Sequence, residues 1–164
     1  MMSREKLEAY LRETGVNARI LTFEKHTITV VDAEEQLGIN RERIIKSMLF
    51  VDEKGIPIFG IVTGDRKVSE EKLIRVSGVQ RIRIARPSAV KSLTGYEAGA
   101  VPPIGHKRQI RTFVDSKVMT FEKVYGGGGA INALLEINPQ DIKRLTNAEV
   151  VDISECNHAA LMPK

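Results

Sequence analysis

Several things are scarce in this chain, and each scarcity narrows the choice. Its 164 residues include one cysteine, Cys156, which excludes an intrachain disulfide, as expected of a cytoplasmic protein. The opening Met1-Met2-Ser3-Arg4 leads into no apolar signal core, and no apolar run is long enough to cross a bilayer. Aromatic residues make up 5%, which argues against a protein that stacks bases along a single strand. The three histidines, His26, His106 and His158, are scattered. Cys156-Asn157-His158 has ligand-like spacing but no second pair, so no metal is expected. No Gly-x-Ser-x-Gly or Cys/His signature announces a nucleophile. The run Gly126–Gly129 is not followed by Gly-Lys-Ser/Thr and does not match Gly-x-Gly-x-x-Gly, so neither nucleotide fingerprint is present. There is no internal repeat and no linker.

What remains is an ordinary globular composition, 42% hydrophobic and 28% charged. The formal charge of +4 permits an anionic partner such as nucleic acid. The length suits one domain, expected over residues 1–154, with residues 155–164 as a tail.

Short helices and short strands alternate. Helices are expected over Ser3–Glu13, Val31–Leu37, Glu70–Ser77, Pro87–Leu93 and Pro139–Leu145, with Ser3, Ser69 and Asn138 as caps and Gly15, Gly38, Gly78 and Asn147 as stops. Strands are expected over Arg19–Phe23, Ile44–Val51, Pro57–Thr63, Arg81–Ala85, Ile110–Val114, Asn132–Ile137 and Val150–Val151. The second and third pair as a hairpin across Asp52–Gly55. Together these give a mixed α/β domain: a curved, mostly antiparallel or mixed β-sheet, or a barrel, surrounded by short helices.

Two segments resist regular structure. Gly95–Gly105 holds three glycines and the pair Pro102-Pro103, which suits a fixed, irregular backbone path. Its Gly99, Ala100 and Val101 N–H groups could form an anion-binding concavity, or the segment could be a tight surface connection. The four-glycine run reads either as a ligand cradle or as a hairpin turn. Lys46 interrupts an apolar strand; read alone, a lysine on the solvated face accounts for it. Basic residues cluster at Arg81, Arg83 and Arg86 and again at His106, Lys107, Arg108 and Arg111. They could steer a polyanion or simply form a solvated face.

In order, His26-Thr27, Leu37-Gly38, Ile45-Lys46-Ser47, Gly64-Asp65-Arg66, Thr94-Gly95-Tyr96, Gly99-x-x-x-Pro103 with Gly105, Val114-Asp115, and the glycine run leading to Leu135-Glu136-Ile137-Asn138-Pro139 resemble the YbaK/ProX family of aminoacyl-tRNA deacylases. The same domain is found inserted in bacterial prolyl-tRNA synthetases. The resemblance covers most of the chain. It implies hydrolysis of the ester between a wrong amino acid and the terminal ribose of tRNA, without metal or cofactor. It places the Gly99–Pro103 loop at the ester and Lys46 at the tRNA 3′ end or beside the reacting carbonyl.

The catalytic set so implied is Lys46, Gly99, Ala100, Val101 and Pro103. Substrate contacts are expected from His26, Ser47, Gly105, Asp115, Gly127, Gly128 and Asn132, and tRNA contacts from Lys107, Arg108 and Arg111. Aminoacylated tRNA is the implied partner, with a synthetase as a further one. Ser47 stands where many members carry Thr, and the glycine-rich stretch from Gly126 stands where relatives carry larger polar residues. Cysteinyl- and alanyl-tRNA both fit, and seryl- and threonyl-tRNA stay open. The rival readings are a non-catalytic tRNA- or protein-binding module of the same fold and a hydrolase of another small ester.

Overall fold

The computed structural model describes residues 4–157. The expected cap Ser3, the ligand-like His158 and the end of the tail lie outside the described residues.

Five helices follow the local caps and stops closely. They are α1 (Arg4–Thr14), α2 (Val30–Leu37), α3 (Glu70–Ser77), α4 (Pro87–Thr94) and α5 (Pro139–Thr146). Ser69 Oγ accepts the Lys72 N–H and Asn138 Oδ1 accepts the Gln140 N–H, each satisfying a donor that the first helical turn leaves over. Gly38, Gly78 and Asn147 end α2, α3 and α5 in the left-handed conformation.

The strands are β1 (Arg19–Thr22), β2 (Ile45–Asp52), β3 (Pro57–Thr63), β4 (Arg66–Val68), β5 (Ile82–Ile84), β6 (Arg111–Asp115), β7 (Val124–Gly127), β8 (Ala133–Ile137), β9 (Glu149–Val151) and β10 (Ser154–Cys156). They form a five-stranded sheet in the order β5-β2-β3-β6-β9, a three-stranded sheet β1-β8-β7 and the pair β10-β4. Within the first, β2 runs antiparallel to β3 and β5, whereas β3-β6 and β6-β9 are parallel. The five-stranded sheet is thus mixed, the other two are antiparallel, and no closed barrel forms among the described residues.

The apolar runs of β2 and β3 are continuous because both faces of this sheet are covered. Leu49, Val51, Phe59, Ile61 and Val114 join Leu7 of α1 and Ile142 of α5 in one core. Their strand neighbours Phe50, Ile58, Val62 and Phe113 join Leu73 of α3 in another. The alternation is the two-residue period of a strand, read twice.

Three short strands depart from the expectation. Val124–Gly127, whose glycines read as a ligand cradle or a hairpin turn, forms β7. Arg66–Val68, where no strand is expected, forms β4, and Glu155 and Cys156, expected in the tail, belong to β10. The pair is tied by Arg66 Nε, which donates to Ser154 Oγ at 2.6 Å, and by Asp115. Oδ1 of Asp115 accepts the N–H groups of Ile153 and Ser154 at 2.9 and 3.0 Å.

Candidate active site

A cavity of about 340 Å³ opens where β2 lacks a strand neighbour. Strand β5 pairs only with Phe50–Asp52, so the edge of β2 from Ile45 to Met48 is open on that side. At its start, Ile44 makes a single parallel bridge to Tyr125, which draws β7 alongside. The gap is closed by the loop between α4 and β6 and by the turn before α2. Its lining comes from Thr27 to Val30 and Ala33, from Ile44 to Met48, and from Gly99, Val101, Gly127 and Leu134.

The loop holds its shape through a chain of hydrogen bonds. Thr94 Oγ1 donates to the Val90 carbonyl at 2.7 Å and accepts the Tyr96 N–H at 3.0 Å. Tyr96 is fully buried and anchors the loop in the core; burial pushes its phenol up to about 12. The Ala100 N–H donates to the Glu97 carbonyl, the Gly129 N–H to the Ala100 carbonyl, and the Lys107 N–H to the Thr94 carbonyl. Gly99 sits at φ +88°, and a β-carbon there would come within 2.5 Å of Ile28 Cγ2. Both its conformation and its close neighbour therefore call for glycine.

The glycine strand is a spacer that lets main chains meet. A β-carbon on Gly126 would crowd Ile45 on β2 and Pro103 Cδ at 3.2 Å. On Gly127 it would overlap the Val101 carbonyl. Because Ala100 C=O is held by Gly129, the planar trans peptide directs the Val101 N–H the opposite way. Neither the Val101 nor the Gly99 N–H has a hydrogen-bond partner among the described residues.

Lys46 is the cation of this cavity. It is half-buried, and burial lowers its pKa while the charge of Asp65 opposes that. Asp65 is in turn bound to Lys117 Nζ at 2.7 Å. Burial raises the Asp65 pKa, but the lowering contributions, led by the hydrogen bond from Lys117, outweigh it and hold the carboxylate low. Ser47 Oγ is buried with no hydrogen-bond partner among the described residues. Among the described residues no carboxylate, imidazole or thiol lines the cavity. Its far side is apolar, from Val30, Ala33, Ile44 and Leu134.

Of the residues expected from the sequence, Lys46, Ser47, Gly99, Val101 and Gly127 come together here. Others hold the frame. Ala100 and Pro103 are buried behind the lining, and the Ala100 N–H is spent inside the loop, which removes it from the donors. Gly128 donates its N–H to the Ala133 carbonyl, and Asn132 Nδ2 donates to the Phe23 carbonyl at 2.9 Å.

Asp115 faces the β10 backbone instead of a ligand. Gly105 packs on Tyr10 and Leu7 and lines a second cavity with His106 and Arg108. His26 is exposed beside the lining residue Thr27. Lys107 and Arg108 are exposed just past the loop. Arg111, by contrast, donates to the Ser77 carbonyl at 2.9 Å and lies over the Phe113 ring, at the opposite end of the sheet from Lys46.

Thr29, Val30, Ala33, Ile44, Met48 and Leu134 also line the cavity, and none of them is expected from the sequence as a site residue. The capping box of Thr29 and Asp32 was the available sign that a helix begins there.

An open strand edge, a lysine and a rigid loop with free N–H groups around one hollow define a site that can hold an anionic or carbonyl-bearing ligand. The profile of the aminoacyl-tRNA editing domain matches residues 24–145, and the chain belongs to that family. It is 28% identical over 120 residues to EbsC of Enterococcus faecalis, named as a candidate Cys-tRNA(Pro)/Cys-tRNA(Cys) deacylase, with 73% of each chain covered. A proline–tRNA ligase of Nitratidesulfovibrio vulgaris is 34% identical over 101 residues, covering 62% of this chain and 17% of the ligase. The solved structure of a candidate trans-editing enzyme for prolyl-tRNA synthetase superposes with a TM-score of 0.85 at 29% identity, covering 93% of this chain and 96% of the other. Among the described residues no helix is long and apolar enough to cross a membrane.

Proposed function

We propose that this chain hydrolyses the ester of mischarged aminoacyl-tRNA in trans, acting in the cytoplasm on cysteinyl- or alanyl-tRNA, the tRNA(Pro) type first. The observation that carries the proposal is the sharing of one cavity by Lys46 and the Gly99–Val101 main chain.

Water attack on the ester carbonyl creates a tetrahedral oxyanion. The N–H groups of Gly99 and Val101 are its candidate donors, and losing one such donor typically costs about 3 kcal/mol of barrier. Lys46 supplies positive charge to the same anion or to the terminal phosphate. In this reading the attacking water is oriented by the loop and by the ribose hydroxyl next to the ester. The apolar far wall suits a small side chain. A pocket of this kind separates neighbours by size only modestly, which is the circumstance that makes a second, hydrolytic check useful. The exposure of Lys107 and Arg108 just past the loop supports a role for them in meeting tRNA phosphates, and a synthetase could deliver the substrate.

The test is amino-acid release from a panel of mischarged tRNAs by wild type, Lys46→Ala and Gly99→Ala. Release by wild type and its loss in both variants is expected. Equal activity of Lys46→Ala would overturn the assigned roles.

A further inference from the structure

His106 lies outside the cavity, yet it is bound to the loop that forms one side of it. Its Nε2 is 2.6 Å from the Pro102 carbonyl oxygen. A carbonyl only accepts, so the ring donates, and the Nε2–H form is the one required. The ring stacks on Phe59 with centroids 4.5 Å apart and planes at 27°. Phe59 is fully buried in the middle of β3, so the imidazole is mounted on the rigid sheet.

On the other flank the Gly129 N–H holds the Ala100 carbonyl at 3.0 Å. Val101 lies between these two anchored carbonyls. The φ of Pro102 and Pro103 is locked by their rings, so little backbone freedom is left at Val101 once both anchors are in place. The direction of the Val101 N–H is thereby fixed from both sides.

We infer that His106 is a positioning residue, which through the Pro102 carbonyl aims the Val101 N–H at the reacting carbonyl. This rests on the deacylase reading. It adds that a side chain remote from the lining sets the rate of the chemical step and not substrate binding. Burial holds the imidazole at about pKa 4, so it stays neutral over the working range, and the acceptor-only Pro102 carbonyl keeps the ring in its Nε2–H tautomer.

Two variants separate the hydrogen bond from the packing. His106→Phe keeps a ring against Phe59 and removes the donor; His106→Gln keeps a donor near the Nε2 position. In single-turnover and steady-state deacylation, His106→Phe should lose about 100-fold in kcat with KM unchanged, the size expected when reacting groups are misplaced by an ångström or so. His106→Gln should recover most of that loss. Wild-type kcat in His106→Phe, or equal losses in both variants, would overturn the inference.

A readout independent of turnover covers variants that fail to fold. In labelled wild-type protein, the His106 Nε2–H proton should be visible by NMR, slow to exchange and coupled through the hydrogen bond to the Pro102 carbonyl carbon. Its absence would also overturn the inference. If the bond is present and wild type deacylates no tRNA, the deacylase reading fails and His106 keeps only its structural contact.

Discussion

The α-carbon of Gly127 lies so close to the Val101 carbonyl that an added β-carbon would sit 2.7 Å from its carbonyl carbon, and closer still to its oxygen. The clash is with main chain on both sides, so no side-chain rotation can relieve it. Gly127→Ala should therefore move the loop or open β7. The expected outcome is a drop in deacylation of about 100-fold, as for an ångström-scale misplacement, with the fold kept. Kinetics beside circular dichroism checks it, and an active, well-folded Gly127→Ala would show that the loop tolerates displacement.

Asp65 stands between two lysines. Its carboxylate binds Lys117 and its charge supports the protonated form of Lys46, which burial disfavours. Asp65→Asn removes that support, so the Lys46 pKa should fall further. If the ammonium form is the active one, the alkaline limb of the rate profile should shift to lower pH. A pH–rate series on the two proteins decides it; an unmoved limb would mean that another group sets the alkaline side.

The helices were legible from the chain because their signals are local. Ser69, Asn138, Gly38 and Asn147 act within one turn of where they stand. Strands β4, β7 and β10 were not: half of β7 is glycine, and three residues carry no period in β4 and β10, which pair with each other and are tied by Arg66 and Asp115 from far along the chain. The same limit applied to the site. Lys46, Gly99 and Gly127 stood out as anomalies of composition, and the resemblance tied them together. Asp115 and Asn132 have the same polar character, but their hydrogen bonds go to backbone groups of the frame. A sequence does not distinguish a polar group that satisfies buried N–H or C=O from one that meets a substrate.

Two groups should make the protein sensitive to acid. The His106 imidazole ordinarily titrates at 6.5 and is pushed down to about 4 by burial. Between those values the unfolded chain takes up a proton that the folded chain refuses, so stability falls as pH drops through that window. Arg19, which heads the groups around Glu136, holds its carboxyl at about 2 against an ordinary 4.5, with Tyr125 and Lys123 adding to the effect. Folded Glu136 stays charged while the unfolded form protonates, so a second loss of stability follows below 4.5. Melting temperature against pH should show both losses. His106→Gln should remove the first and Glu136→Gln the second. Glu136→Gln should also cost about 1–3 kcal/mol near neutral pH, as expected for hydrogen bonds to a charged group. A melting temperature that stays flat from pH 6.5 to 4.5 in wild type would contradict the burial of His106.

Two helix caps allow the cavity to be probed without touching its chemistry. Thr29 Oγ1 accepts the Asp32 N–H at 3.1 Å, and Asp32 returns the bond to the Thr29 N–H at 3.4 Å. Thr29→Ala should cost about 1 kcal/mol of stability, and so should Ser69→Ala at the start of α3. Their effects on turnover should differ. Thr29 and Val30 line the cavity, whereas α3 packs on the opposite core through Leu73. Fraying the start of α2 should loosen the wall that meets the amino-acid side chain, so KM should rise in Thr29→Ala. The kcat should hold, because Lys46 and the loop are seated on other elements. Ser69→Ala should lose the same stability and change neither constant. Matching melting shifts with a KM effect confined to Thr29→Ala would tie α2 to substrate recognition, and equal KM effects would trace both to global loosening.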